Sequence, residues 1–422
     1  MSVSADSQGV NGLRPAHTTT LTLTLCAVAA LVEGFDTQAT GVAGPRIIRE
    51  FALSPAIAGW LFSGATLGQA IGSVAGGRLA DYIGRKWALI ASLLLIGVCS
   101  LGTVVSAGIA SLFITRVFGG FGLGGAMPNF ITLASESVAP HRRQKLVTLL
   151  MGALPAGGLI ASVTSLANGI GWGWRTIFIV GGVVTLGIGL LSIWGVRDSM
   201  RTAHEAAFSS AEAPRAGPDS PRRPERLLQV LFGEERAAAT LLLWATFFCT
   251  QATLVLMLNW LPSLVVRAGF SYAQASWTQI CFSVSGICGS YVVGSLQAGT
   301  WQRTGVAATY LAIAATLAAA GLAGHVFWML LLAAAGAGMF IIGSSLALYG
   351  RVPLYYPRLI RASGVGGAAT AGRVGSALGP LFAGLLLAGG GSTSTVLFGI
   401  EPCVLLGGAA AVALCWCRQA RD

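Results

Sequence analysis

The stretch TTTLTLTLCAVAALVEGFDTQATGVAG, Thr18 to Gly44, decides the fold class. It is an apolar run with no basic residue between Arg14 and Arg46. At a helical rise of about 1.5 Å per residue, roughly 20 such residues cross the hydrocarbon core of a bilayer. Arg14 and His17, followed by apolar residues up to Ala27-Val28-Ala29-Ala30, have the layout of a cleaved secretory signal. The run continues past any such cleavage point, so it reads as a retained first transmembrane helix. Inside it sit two carboxylates, Glu33 and Asp36. A carboxylate at membrane depth costs at least about 2.5 kcal/mol on insertion scales, so it normally faces an interior and has a task. Three residues apart on a helix, the two share a face. Crowding and desolvation there favour the protonated form of at least one. A buried acid that takes and releases a proton is what a proton-coupled transporter needs. For Glu33 a second reading stands beside this one: a local cap or pair near a helix break at Gly34.

The rest of the chain carries the same signature. Of 422 residues, 54% are hydrophobic and 10% charged, against roughly 25% charged in soluble domains. Twelve apolar spans follow one another, at about 18–44, 56–80, 87–108, 110–135, 144–168, 174–195, 237–266, 274–299, 304–323, 326–350, 362–389 and 394–416. None alternates with period two, which favours helices over a barrel. The expected fold is an all-α membrane protein of twelve transmembrane helices. A polar segment with Pro214, Pro218, Pro221 and Pro224 separates the sixth span from the seventh. Its composition cannot bury a core and reads as a linker; residues 225–235 have the pattern of a short interfacial helix. The expected organisation is a six-helix half over 1–196, a cytoplasmic linker over 197–236 and a second six-helix half over 237–422. The eight cysteines lie in or beside the spans without a CxxC pair. No disulfide, metal or cofactor is expected from them.

The net charge of +11 raises the question of nucleic acid, and its placement answers it. With the N-terminus in the cytoplasm, 20 of the 26 basic residues fall on the cytoplasmic side. Arg46, Arg49, Arg175 and Arg267 fall outside, and Arg116 and Arg373 lie within spans. This asymmetry sets both termini inside and accounts for the charge without a nucleic-acid partner.

Span two ends in Gly77-Arg78-Leu79-Ala80-Asp81-Tyr82-Ile83-Gly84-Arg85-Lys86. Gly84 suits a positive φ in a tight turn, and Asp81 suits a helix N-terminus. This string resembles the signature loop of the major facilitator superfamily, G-x-L-A-D-R-x-G-R-K, with Tyr82 in place of the usual arginine. The resemblance implies two pseudo-symmetric six-helix halves. A faint internal repeat agrees. Gly77 to Asp81 aligns with Gly294 to Ala298, and Lys86 with Arg303, at a constant offset of 217. The second copy has lost its acid at Ala298.

Span four carries Arg116 followed by Gly120, Gly122 and Gly124, then Pro128 and Asn129. It is similar to the superfamily's fourth-helix R-x-x-x-G-x-G-x-G element, which is implicated in proton transfer. The other reading is a packing helix whose arginine snorkels outward. Glu33-Gly34-Phe35-Asp36-Thr37-Gln38-Ala39, Asn259-Trp260-Leu261-Pro262, and Arg361-Ala362-Ser363-Gly364-Val365-Gly366 resemble the aromatic acid:proton symporter family, closest in pattern to its hydroxyphenylpropionate importers. Arg351 departs from that pattern.

The resemblance implies proton-coupled uptake of an aromatic carboxylate through a bacterial inner membrane, without a cofactor, by a monomer in the bilayer. Asp36 is the expected protonation site, with Glu33 assisting. Arg116 and Arg373 would supply positive charge for the carboxylate. Asn259 and Gln251 would meet ring hydroxyls, and Phe35 and Trp260 would offer apolar walls. Gly77, Asp81, Gly84, Arg85, Lys86, Glu136 and Arg361 would form the inner gate. No histidine lies mid-span, so proton coupling falls on the two carboxylates. No metalloprotease, phosphate-loop or serine-nucleophile motif supports an enzyme. Two rivals stay open. The glycine-rich Gly152-Ala153-Leu154-Pro155-Ala156-Gly157-Gly158 of span five is close to an element of drug exporters in this superfamily. A transporter-like sensor is the other.

Overall fold

The computed structural model describes residues 16–167, 173–196, 233, 236–297, 302–356 and 361–417. The expected linker and interfacial helix, Gly233 and Arg236 apart, lie outside the described residues. Twelve α-helices make up the described chain: α1 Ala16–Glu50, α2 Pro55–Ile83, α3 Arg85–Val104, α4 Ile109–Glu136, α5 Pro140–Ala167, α6 Arg175–Gly195, α7 Ala237–Arg267, α8 Tyr272–Leu296, α9 Gln302–Leu322, α10 Phe327–Arg351, α11 Arg361–Ala388 and α12 Thr393–Leu414. Eleven are long and apolar enough to cross a membrane. The exception is α2, whose 29 residues include six glycines, Gln69, Arg78 and Asp81. Its glycines are packing devices. A Cβ on Gly68 would collide with the Val117 carbonyl oxygen, and one on Gly120 with that of Ala65. The α2 and α4 backbones therefore touch, as small residues allow between membrane helices.

Helix packing repeats between the halves. In each, the first helix packs on the fifth and sixth, the second on the fourth, and the third on the fourth and sixth. The seam between halves consists chiefly of α1 on α7, α2 on α11 and α5 on α8. Exchanging the halves maps α2–α11 onto α8–α5 and α1–α7 onto itself, which is a pseudo-two-fold relation. Apolar cores fill both halves, and that of the C-terminal half takes in Ala58 and Phe62 of α2 across the seam. One gathers Leu25, Leu93, Leu123 and Phe130; another gathers Leu261, Phe282, Ile313 and Ile341.

Both ends of the N-terminal half are tied. At the end bearing the basic loops, Gly84 takes φ 90° between α2 and α3, and its N–H caps the Ala80 carbonyl. Arg85 there pairs with Glu136 at the end of α4, and Lys86 donates to the Ile193 carbonyl of α6 at 2.7 Å. At the opposite end Glu50 accepts from Arg175 (2.7 Å) and from the Trp174 indole (2.6 Å), joining α1 to α6.

Candidate functional site

The two carboxylates of α1 point to different neighbours, so the crowding expected from their spacing is not what the helix builds. Three residues of helix turn the second side chain by about 60° from the first, and packing separates them further. Asp36 faces into the N-terminal half. Its Oδ1 accepts from the Ser100 hydroxyl of α3 at 2.7 Å, and its Oδ2 lies 3.6 Å from Nη1 of Arg116 on α4. Arg116 is 1% exposed. It donates to Thr103 at 2.7 Å and to Thr40 at 3.5 Å, and its guanidinium carbon lies 4.7 Å from the centre of the Phe178 ring. Outward snorkelling of Arg116 is therefore set aside. A buried charge is tolerable only when paired and hydrogen-bonded, and this one has an ion partner, two hydroxyls and an aromatic face.

Glu33 turns to the seam instead. Its Oε1 accepts from the Gln69 amide of α2 at 3.4 Å, while its buried Oε2 has no partner. From the other half, Arg373 of α11 donates to the Gln69 carbonyl oxygen at 2.7 Å. Arg373 is close enough to interact electrostatically with both Glu33 and Tyr349. Gln69 is the central residue of α2, so this cluster sits at mid-depth. Nearby in the C-terminal half, Gln251 of α7 accepts from Ser345 of α10 at 2.6 Å. Tyr349 stacks edge-on against Phe247 with centroids 5.1 Å apart.

Asn259 bonds its own helix at the Val255 carbonyl, 3.0 Å away. Trp260 donates to the Pro380 carbonyl at 2.9 Å and meets Phe62 edge-on. Phe35 packs against Gly181 of α6 inside the N-terminal half. All three sit in packed surroundings. Asp81 is exposed and has no hydrogen-bond or ion-pair partner among the described residues. Gly77 lies near the end of α2, and Arg361 opens α11 with its side chain outside the described residues.

Sequence reasoning passed over Gln69 and Gln279, and took Gln38 only as part of a motif. The signal was present, because a glutamine within an apolar span must find partners inside the protein. Gln38 accepts from Gln279 (3.1 Å) and Ser283 (3.2 Å) of α8, a bond across the seam. Among the described residues, the seam hydrogen bonds lie at mid-depth or toward the end away from the basic loops: Gln69 to Arg373, Gln38 to Gln279 and Ser283, Ser63 to Ala377, and Ser165 to Ser276.

A site at mid-depth between two six-helix halves, built from side chains of both, points to a rocking transporter. Residues 26–350 match the family model of the Major Facilitator Superfamily. The chain belongs to that superfamily. It is 38% identical to the 3-(3-hydroxy-phenyl)propionate transporter of Escherichia coli (strain K12) over 390 residues, 92% of each chain. It is 28% identical to the gallate transporter of Pseudomonas putida over 87% of this chain and 85% of that one. Among solved structures, a D-xylose–proton symporter superposes with a TM-score of 0.72 at 17% identity, over 94% of this chain and 97% of that one. The chain is thus a multi-pass membrane transporter and not an enzyme.

Proposed function

We propose that this transporter imports an aromatic carboxylate, such as a hydroxyphenylpropionate or hydroxybenzoate, together with protons. The observation that carries this reading is the Glu33–Gln69–Arg373 cluster at mid-depth. It offers a cation for an organic anion beside an acid with a free oxygen. Relatives named for aromatic acids support the substrate class. Asp36 is the coupling site. A protonated Asp36 can donate to the Ser100 hydroxyl that now donates to it. Arg116 keeps Thr103, Thr40 and the Phe178 face when its ion partner is neutral. Glu33 assists by tying α1 to the seam. Arg373, and not the internally paired Arg116, meets the substrate carboxylate, and Gln251 meets polar ring substituents.

The halves 1–196 and 237–422 rock as units about the seam, joined by 197–236. The basic loops and both termini face the cytoplasm of a bacterium, and the chain works as a monomer in the inner membrane. In that orientation the seam hydrogen bonds of Gln38, Ser63 and Ser165 would lie on the outer side. Gly77, Asp81, Gly84, Arg85, Lys86, Glu136 and Arg361 form the inner gate, where an unpartnered Asp81 suits a latch that is open.

The test is uptake by proteoliposomes of a panel of aromatic acids under an inward proton gradient. Uptake should rise with the gradient and collapse with a protonophore. Uptake that ignores both, or follows sodium, removes the symport reading; outward pumping of unrelated cations would favour an exporter.

A further inference from the structure

The seam where α1, α5 and α8 meet carries polar groups that the coupling scheme does not use. Tyr272, Ser276, Gln279 and Ser283 recur on α8 at spacings of three and four, which puts them on one helical face. That face looks across the seam. Arg46 of α1 lies over the Tyr272 ring at 5.3 Å, Ser276 bonds Ser165 of α5, and Gln279 and Ser283 bond Gln38 of α1. Gln279 and Ser283 are fully buried and Gln38 is 4% exposed. The glycine pair of α5 makes room for this arrangement. A Cβ on Gly157 would strike the Leu31 carbonyl of α1, and one on Gly158 would strike the Gln38 amide. The glycine-rich element of span five is thus the seat of α1 and of Gln38.

One atom is left over. Gln279 Oε1 is buried and has no hydrogen-bond partner. A buried acceptor without a donor costs roughly 1–3 kcal/mol, so the place is built for a donor. Gln38 lies five residues beyond Glu33 on α1, a rise of about 7.5 Å and a turn of about 140°, so Glu33 faces α2 while Gln38 faces α8. The α2–α11 contact that carries Arg373 and the α5–α8 contact that carries Gln279 are exchanged by the pseudo-two-fold relation. A ring bound between them with its carboxylate at Arg373 would direct its far edge toward the Gln38–Gln279 bridge.

We infer that Gln279, positioned by Gln38 and Ser283, determines specificity by accepting a hydrogen bond from the ring hydroxyl of a hydroxylated aromatic acid. The inference rests on the proposed aromatic-acid transport and deepens it. It predicts discrimination, because a site with an acceptor for a substrate hydroxyl leaves that acceptor unpaired when the hydroxyl is missing.

The experiment compares 3-(3-hydroxyphenyl)propionate with 3-phenylpropionate in wild type, Gln279→Met and Gln279→Asn. Apparent affinities are read by competition in proteoliposomes, and ligand-induced shifts in Tm are read on the purified full chain in detergent. Wild type should favour the hydroxylated acid. Both variants should shrink that preference by about tenfold, the worth of one hydrogen bond to a buried acceptor. The methionine keeps the volume and loses the acceptor; the asparagine keeps the amide and withdraws it by one methylene. Should one variant not fold, the other reads the same ratio. An unchanged ratio, whether both affinities fall together or neither moves, overturns the inference and leaves Gln279 a tie between α8 and α1. Wild type that binds neither acid overturns the parent reading, an outcome visible before any variant is made.

Discussion

With Asp36 as the proposed coupling site, replacing it by asparagine should separate proton coupling from substrate binding. The change removes one charge and preserves the shape, so the amide oxygen still accepts from Ser100. At 3.6 Å the attraction to Arg116 is worth roughly 4–5 kcal/mol at an effective dielectric constant near 20. Orphaning a buried charge typically costs about 3–5 kcal/mol. Thr103, Thr40 and the Phe178 ring continue to hold Arg116, so Asp36→Asn should fall at or below the lower end of that range and still fold. Its Tm should drop and its elution stay monodisperse. The functional effect is larger. A monoanion carried with one proton moves no net charge, so only the pH difference drives it. Two pH units supply about 2.7 kcal/mol, which corresponds to about hundredfold accumulation. Wild-type proteoliposomes should approach that ratio. Asp36→Asn mimics the protonated acid permanently. It should reach only equal concentrations on the two sides, while exchange of labelled for unlabelled substrate persists. Accumulation by Asp36→Asn well above unity would refute the assignment and move the coupling proton to Glu33, where Glu33→Gln is the next variant.

Two further outcomes test the rest of the site. Arg373→Ala should weaken carboxylate binding by about 1.5–3 kcal/mol, the usual worth of a charge-assisted hydrogen bond; the neutral amide of the same substrate should bind variant and wild type alike, and an unchanged affinity for the acid would place its counter-charge elsewhere. Gly157→Ala should force α5 away from α1 at the Leu31 carbonyl, lowering stability by roughly 1–3 kcal/mol as overpacking does; a wild-type Tm would contradict the close approach.

The fold was legible because its determinants are local and one-dimensional. Span lengths and the Gly84 turn each follow from a few consecutive residues. Even the one departure, α2, has a local cause, since the glycines that lower its hydropathy are those that let it touch α4. The site was legible only by residue type. Glu33, Asp36, Arg116 and Arg373 stand out because charge is scarce at membrane depth. Their pairing is a matter of azimuth and of helices distant in sequence, which a list of spans does not contain. Ser100 lies 64 residues from Asp36 and Gln69 lies 304 from Arg373. The aromatic residues were weaker guides. Phe35 and Trp260 sit where apolar side chains ordinarily sit, in packed cores.

The division of labour within α1 follows from that azimuth. Asp36 and Glu33 differ by less than one turn, yet one is held entirely by its own half and the other reaches the seam. Rocking of the halves leaves the Asp36–Arg116–Ser100 contacts intact, because α1, α3 and α4 move together. The same motion must alter the Gln69–Arg373 and Gln38–Gln279 contacts, because those cross between α2 and α11 and between α1 and α8. A proton at Asp36 therefore cannot act on the seam by direct contact. It has to act through α1, whose Gly34 and Gly41 press against the backbones of α5 and α7. In the proposed scheme, neutralising Asp36 would free Arg116 to settle onto its hydroxyl partners and free α1 to shift against those two helices. That shift would carry Glu33, which bonds Gln69 of α2, and Gln38, which bonds α8. Proton and substrate would then be coupled through one rigid helix, without sharing a binding group.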